Sequence, residues 1–185
     1  MSIILVGNSK NVLLQKRGQE IDKFDTVVRF NNFQLEGFEE YVGNKVDIIA
    51  RRACDDVFLH PTRSDKPKIL AFVTYSRYSH GMLMVARNLQ GYYGSACEVI
   101  SVVECKKTGE KIGLDQPVPE ACSIGVLAID YFLKRHDKIT LHGFGGNPEE
   151  HYFKKPPRDA GFHAWEKERN WINQLKKEGR IEDLK

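Results

Sequence analysis

The chain has 185 residues, of which 41% are hydrophobic and 29% are charged, and its net charge is +3. This length and composition are typical of one globular domain, so we expect residues 1–185 to form a single unit. The mild positive charge suits an anionic ligand, but it is too small to indicate a protein that binds nucleic acid.

Apolar runs and cysteine spacing exclude several other classes of protein. No apolar run approaches the ~20 residues that a transmembrane helix needs, and the N-terminal run is too short for a signal peptide. Cys54, Cys97, Cys105 and Cys122 lie far apart and include no C-x-x-C pair. This spacing disfavours a zinc site and a disulfide framework, so we expect reduced thiols and a cytoplasmic protein.

The first strong structural signal is the apolar run Ile3–Val6, which leads directly into the polar sequence GNSKN. An apolar run without alternation predicts a strand buried on both faces of a parallel sheet. The loop after it would lie at the carboxyl edge of the sheet, where α/β proteins bind ligands. Gly7 would allow close backbone approach, and Asn8, Ser9 and Asn11 offer neutral hydrogen-bonding groups to a phosphate or ribose. The same residues would also suit an ordinary strand-to-helix turn.

The rest of the chain alternates apolar runs with helical patterns and long connectors. Further strands are predicted at 26–30, 46–50, 68–73, 98–103 and 138–142, and helices at 12–20, 80–90, 124–132 and near the C-terminus. Residues 106–119 contain two glycines and two prolines and are predicted to form a loop. The pattern predicts an α/β fold with a single Rossmann-like, doubly wound, mostly parallel sheet and helices on both faces.

Three polar features accompany these predicted elements. Ser123 is a predicted N-cap of the helix at 124–132. The strand at 138–142 leads into a second glycine-rich loop, 143–147. Arg29 lies inside an apolar strand, so we expect its side chain to reach a partner at the strand end and not to sit in the core. The alternative is an arginine on an edge strand that faces solvent.

A histidine and a carboxylate stand out near the C-terminal helix. Glu168 falls on the apolar face that Trp165, Ile172 and Leu175 define, so its carboxylate needs a partner unless that face is misassigned. His163 lies just before the helix, whose positive end favours a neutral imidazole, the state that a general base requires. A capping or surface role is the alternative for this histidine.

These segments together resemble the sialyltransferase family of metal-independent glycosyltransferases. Residues 6–11, 18–22, 24–25 and 28–31 follow the family's long motif, and residues 123–127 with 136–145 are similar to its short motif. His151 and Tyr152 resemble the third motif, and His163 with Glu168 reproduces the very short H-x4-E motif. The four motifs occur in the family's order and involve both ends of the chain.

The resemblance implies inverting transfer of sialic acid, or a related acid such as Kdo, from its cytidine monophosphate (CMP) conjugate to a glycan or glycolipid hydroxyl. It implies no cofactor and no metal. His163 would act as general base, His151 would meet the leaving phosphate, and Glu168 and Arg29 would support the site. The residues implied to line the nucleotide pocket are Gly7, Asn8, Ser9, Asn11, Asn31, Ser123, Gly125, Gly145 and Tyr152.

The sequence also departs from the family pattern. Ile3 and His136 stand where secretory-pathway members carry the cysteines of a disulfide, which fits a reducing compartment. The chain is shorter than the animal enzymes between the long and short motifs, so a non-catalytic nucleotide-binding module is one alternative. A dinucleotide-dependent oxidoreductase is another, although the first loop lacks G-x-G-x-x-G. We expect no transmembrane segment, and peripheral contact with a membrane is left open.

Overall fold

The computed structural model describes residues 1–53, 67–74, 79–114, 122–145, 151–153 and 163–184. The strands are β1 (Ile3–Val6), β2 (Thr26–Phe30), β3 (Ile48–Arg52), β4 (Lys68–Phe72), β5 (Cys97–Ile100), β6 (Ile139–His142) and β7 (Ile181–Asp183). The helices are α1 (Gly18–Ile21), α2 (Glu39–Val42), α3 (Ser79–Tyr93), α4 (Val102–Lys111), α5 (Ile124–Leu133) and α6 (Trp165–Lys177), with 3₁₀ helices at Lys10–Leu14 and Gly94–Ala96.

The described strands form one sheet in the order β5-β4-β3-β2-β1-β6-β7, and all their pairings are parallel. The chain lays down β2 to β5 on one side of β1 and then places β6 and β7 on the other side. The strand order therefore reverses between β1 and β6. In a doubly wound sheet, ligands bind at the carboxyl edge beside such a switch point. The predicted α/β fold and the central position of β1 are confirmed.

Helices cover both faces of the sheet because its strands carry apolar side chains on both faces. Leu5 and Val28 pack with α4, α5 and α6 in one core cluster. Ile4 and Val27 point the opposite way and pack against the segments that surround α1 and α2. A third cluster lies under α3. Strand β1 is therefore buried from both sides, as its unbroken apolar run predicts.

The loop predicted at 106–119 is wrong over its first part, because α4 runs from Val102 to Lys111. The Ser101 hydroxyl caps this helix by accepting a hydrogen bond from the Glu104 amide at 3.3 Å. Gly109 lies inside the helix beside Leu114 and Cys122, at a position where a Cβ atom would make ordinary van der Waals contacts. Residues 115–119 lie outside the described part of the chain, so the structure does not address the rest of that prediction.

Other predicted elements differ in detail. The helix predicted at 12–20 is two shorter ones, a 3₁₀ turn at Lys10–Leu14 and α1. Strand β7 was not predicted. Its three residues contain a single buried apolar side chain, Ile181, which is too few to give an apolar run in the sequence. Cys97, Cys105 and Cys122 are free thiols, as expected, whereas Cys54 lies outside the described residues. Among the described helices, none is long and apolar enough to span a bilayer.

Two expectations for Arg29 are wrong. Its side chain lies inside the core, and its strand is not at an edge of the sheet. Strand β2 is internal, and Arg29 is only 1% exposed. Its guanidinium donates hydrogen bonds to the carbonyl oxygens of Val42, at 2.6 Å, and Lys45, at 3.0 Å. These two acceptors allow the charge to be buried, and they attach the end of α2 to the sheet.

We expect Arg29→Met to lower the free energy of unfolding by on the order of 2–4 kcal/mol, because buried carbonyls would lose their donors. The measurement is urea denaturation followed by circular dichroism. Lys16→Met is the control, since Lys16 is exposed and its ion pair is with the exposed Glu40. Its expected cost is below ~1 kcal/mol. Equal stability losses in the two variants would contradict a role for Arg29 in holding α2.

Candidate functional site

The carboxyl ends of β1 and β6 meet in a close backbone contact. Gly7 N donates to His142 O at 2.7 Å, and Ser9 N donates to Gly143 O at 3.3 Å. A Cβ atom on Gly7 would lie 2.5 Å from Gly143 O, and one on Gly143 would lie 2.5 Å from the side chain of Val12. Gly143 also has φ of +73°, a conformation that favours glycine. Both loops therefore need glycine at the switch point.

A third segment joins these two loops. The Ser9 hydroxyl donates to Gly145 O at 2.7 Å, and Ser9 forms an antiparallel bridge with His151. Tyr152 N donates to Asn8 O at 3.0 Å. The structure thus brings together Gly7, Ser9, Gly145 and His151 from among the residues predicted for the site. Asn11, also predicted, lies exposed in the 3₁₀ helix that follows the first loop.

Two predicted nucleotide ligands, Asn8 and Asn31, have amide groups whose orientation the backbone fixes. Asn8 Nδ2 donates to the carbonyl oxygens of Phe30, at 3.1 Å, and Asn32, at 3.0 Å. Asn31 Oδ1 accepts from the amide of Arg52 at 3.1 Å. A carbonyl accepts only and an amide N–H donates only, so neither side chain can be flipped without loss. These bonds use the NH₂ group of Asn8 and the oxygen of Asn31, and they leave Asn8 Oδ1 and Asn31 Nδ2 as the opposite ends of the two amides.

Asn31 also has an unusual backbone conformation. It is the non-glycine residue with positive φ, 46°, in the described part of the chain. Asparagine tolerates this left-handed region better than most residues. Such conformations often occur at functional sites, where the surrounding structure enforces them. Here the backbone N–H of Asn31 donates a hydrogen bond to Ala50 O at 3.0 Å, which extends the pairing of β2 with β3 by one residue.

Tyr152 is buried, and its hydroxyl is engaged within the protein. The hydroxyl accepts from Gln34 N at 3.2 Å and donates to Gln34 O. Its ring packs edge-on against Phe38 and Phe153, and burial raises the pKa of the phenol. The predicted contact between Tyr152 and the nucleotide is not tested, but the structure gives this residue a clear positioning role. It ties the segment that carries His151 to the segment after β2.

Glu168 and Ser123 join the starts of the two helices α6 and α5. The Glu168 side chain is 4% exposed. It accepts from Ser123 N and from Ser123 Oγ, both at 2.6 Å. Ser123 Oγ in turn accepts from Val126 N at 3.3 Å, which confirms the predicted N-cap. Glu168 thus has the partner that its place on the apolar face demanded, and Ser123 is used mainly to hold the two helices together.

His163 lies two residues before α6, at the same edge of the sheet. Its ring is half-buried and packs edge-on against Trp165, with ring centroids 4.9 Å apart. The Glu168 contact with Ser123 fixes the position of this helix end. Phe144 lies nearby, over Gly125, and packs edge-on against Phe30 with ring centroids 5.6 Å apart. The predicted residues Ser123, Gly125 and His163 therefore share the α5 side of this edge.

Sequence reasoning missed two residues at this edge, His142 and Arg52. The last residue of β6 is His142, whose Nε2 is buried without a hydrogen-bond partner among the described residues. Burial, with the nearby positive charges of Arg17 and Arg29, lowers the pKa of His142, so its imidazole stays neutral. Arg52 ends β3 and bonds to Thr74. The position of each residue at a strand end was the signal available in the sequence.

The described part of the chain contains no group of three or more His, Cys, Asp or Glu side chains placed to hold a metal ion. Residues 3–88 match the model of glycosyltransferase family 29 (sialyltransferase).

This segment, just under half of the chain, is similar to glycosyltransferase family 29. Two curated relatives come from Arabidopsis thaliana. "Sialyltransferase-like protein 2" is 46% identical over 41 residues, which are 22% of this chain and 9% of that protein. "Beta-1,6-galactosyltransferase GALT29A" is 44% identical over 48 residues, which are 26% of this chain and 12% of that protein. The matched segments are about a tenth of the relatives' own lengths, so they support the family and not a particular substrate.

Two solved mammalian sialyltransferase structures share the fold of this chain. A mammalian sialyltransferase crystallised with Gal-beta-1-3GalNAc-ortho-nitrophenol superimposes with a TM-score of 0.76 and 20% identity, covering 100% of this chain and 69% of that one. A second mammalian sialyltransferase structure gives a TM-score of 0.75, again at 20% identity, and covers 100% and 68% of the two chains. At this identity the likeness concerns the fold alone.

We expect Glu168→Gln to destabilise the protein by about 2–4 kcal/mol, because two charge-assisted hydrogen bonds to Ser123 would be weakened. Thermal and urea denaturation measure this loss. Glu166→Gln is the matched control, since Glu166 lies in the same helical turn but is exposed. If both variants unfold at the wild-type urea concentration, Glu168 does not hold α6 to α5.

Proposed function

We propose that this protein is an inverting, metal-independent glycosyltransferase. Its donor would be the CMP conjugate of sialic acid or of a related acid such as Kdo, and its acceptor a hydroxyl of a glycan or glycolipid. The observation that carries the proposal is the pair of oriented asparagines beside the switch point of a fold shared with sialyltransferases. They lie where a doubly wound sheet binds a nucleotide.

The two asparagines offer opposite hydrogen-bonding groups. Asn8 Oδ1 can accept from a hydroxyl or amino group, and Asn31 Nδ2 can donate to a hydroxyl, carbonyl or phosphate oxygen. A ribose or a cytosine presents both kinds of group. The backbone of Gly145 lies at the same edge, where a Cβ atom would meet nothing within 4 Å, so it allows close approach of a ligand. This arrangement supports recognition of a nucleotide by neutral groups.

The proposed chemistry needs one base and one group that stabilises negative charge. The acceptor oxygen forms a bond to the anomeric carbon of the sugar acid, while the bond from that carbon to the CMP phosphate oxygen breaks. His163 would take the proton of the acceptor hydroxyl. His151, held beside Ser9, would donate to the phosphate as negative charge develops on it. The two histidines lie on different segments, so each can serve one partner.

The donor site is tested by two matched substitutions. Asn31→Asp keeps the oxygen that accepts from Arg52 N but replaces the NH₂ donor, so CMP affinity should fall by ~10-fold or more while stability changes by less than ~1 kcal/mol. Asn8→Asp places a carboxylate against two carbonyl oxygens and should cost stability, on the order of 2–4 kcal/mol. Calorimetric titration with CMP and urea denaturation measure both quantities. Wild-type CMP affinity in folded Asn31→Asp would place the nucleotide elsewhere.

The base is tested by His163→Ala. Turnover should fall by ~10²–10⁴-fold while CMP affinity stays near the wild-type value, because the base acts on the acceptor and not on the donor. The measurement is transfer from a CMP-sugar to a panel of glycans, together with CMP titration. His151→Ala is the comparison, since it should impair departure of the phosphate. Transfer at the wild-type rate by His163→Ala would remove this histidine from the mechanism.

The same assay separates the alternatives. A non-catalytic nucleotide-binding module would bind CMP without transferring or hydrolysing the CMP-sugar. An oxidoreductase would bind NADH in preference to CMP.

A further inference from the structure

Arg52 is a cationic side chain at the candidate site that the proposed reaction has not yet used. It is the last residue of β3 and is paired with Phe72 of β4. Neighbouring residues in a parallel pair point to the same face, and Phe72 belongs to the core cluster under α5. Arg52 therefore lies at the carboxyl edge of the sheet on the α5 side, the side that also carries Phe144 and Ser123.

The Arg52 guanidinium is held through its Nε atom, and its two terminal amino groups can bind a ligand. Its Nε donates to the hydroxyl of Thr74 at 3.1 Å, and its backbone N–H is held by Asn31 Oδ1 at 3.1 Å. In the part of the chain that the structure describes, no hydrogen bond or ion pair involves its two terminal amino groups. The side chain is half-buried. A guanidinium fixed at Nε presents these amino groups as a planar fork that matches a carboxylate.

Among the described residues on this side of the edge, the carboxylate of Glu168 does not pair with Arg52. The Glu168 carboxylate is bonded to Ser123 N and Ser123 Oγ. The arginine therefore lies beside Asn31, which we assign to the nucleotide, with a charge that an anionic ligand would neutralise. Such a half-buried cation gains more from an anion than a fully solvated one does, because water screens it less.

We propose that Arg52 binds the carboxylate of the donor sugar and so selects sugar acids over neutral sugars. This inference rests on the proposed function, because it assumes that Asn31 contacts the nucleotide. The phosphate is a weaker assignment for Arg52. Its expected partner, His151, is held at the loop after β1, which is two strands away from β3. Two strand spacings amount to roughly 10 Å, so the two residues are suited to different groups of one ligand.

The inference bears on whether a protein of this kind uses an acidic or a neutral donor sugar. One curated relative of this chain is named as a galactosyltransferase, and galactose is a neutral sugar. A carboxylate-binding arginine would be of no use for such a donor. The charge at residue 52 is thus a specificity determinant that can be tested separately from nucleotide binding.

The experiment compares binding of CMP, CMP-sialic acid and UDP-galactose by the wild type, Arg52→Gln and Arg52→Lys. We expect Arg52→Gln to weaken CMP-sialic acid binding by at least ~10-fold and to change CMP affinity by less than ~2-fold, because the lost bonds are charge-assisted and belong to the sugar. Arg52→Lys should fall between Arg52→Gln and the wild type, since it keeps the charge but not the fork. Arg87→Gln, at an exposed position on α3, is the control and should bind as the wild type does.

Several outcomes would overturn the inference. Equal losses for CMP and CMP-sialic acid would assign Arg52 to the phosphate, and unchanged affinities would remove it from the site. Tighter binding of UDP-galactose than of CMP-sialic acid by the wild type would overturn the selection of acids. A wild type that binds no nucleotide would overturn the proposed function itself, which distinguishes that failure from a failure of Arg52. If Arg52→Gln does not fold, Arg52→Lys gives the same comparison.

Discussion

The candidate site depends on the contact between Gly7 and Gly143. These residues follow β1 and β6, which are far apart in sequence but adjacent in the sheet. Their backbones approach so closely that a methyl group on Gly7 would lie 2.5 Å from Gly143 O. The contact brings the two loops into hydrogen-bonding range, and Ser9 then reaches both Gly145 and His151. The switch point of the sheet thus becomes one continuous surface that neither loop could form alone.

Buried polar side chains fix the segments around that contact. Burial of a charge or an amide is costly unless its hydrogen bonds are satisfied, so each of these groups has a specific partner. Arg29 holds the end of α2, and Glu168 holds α6 to α5. Asn8 combines two roles, because its NH₂ group bonds to the backbone after β2 while its oxygen faces away. The structural role of Asn8 can therefore be assigned to its NH₂ group, and the nucleotide contact that we propose to its oxygen.

The apolar runs were enough to predict the central strands and the capped helix, because burial on a sheet leaves a direct trace in composition. They did not predict α4, since Gly109 lies inside this helix and glycine has low helix propensity. The burial of Arg29 was equally hidden, because its acceptors at Val42 and Lys45 come from another segment. The family motifs predicted which residues would form the site. Only the fold gives the orientation of their hydrogen-bonding atoms.

The local structure after β1 also bears on the class of ligand. In dinucleotide-binding Rossmann folds, a glycine-rich turn leads into a long helix whose positive end holds the pyrophosphate. Here β1 leads into a 3₁₀ helix of five residues, Lys10–Leu14, which has a small dipole. At the start of the longer helix α5, the backbone amide of the N-cap residue Ser123 is occupied by the Glu168 carboxylate. These two helix ends are thus short or already occupied by a carboxylate, which disfavours a pyrophosphate at either of them and argues against the alternative of a dinucleotide-dependent oxidoreductase.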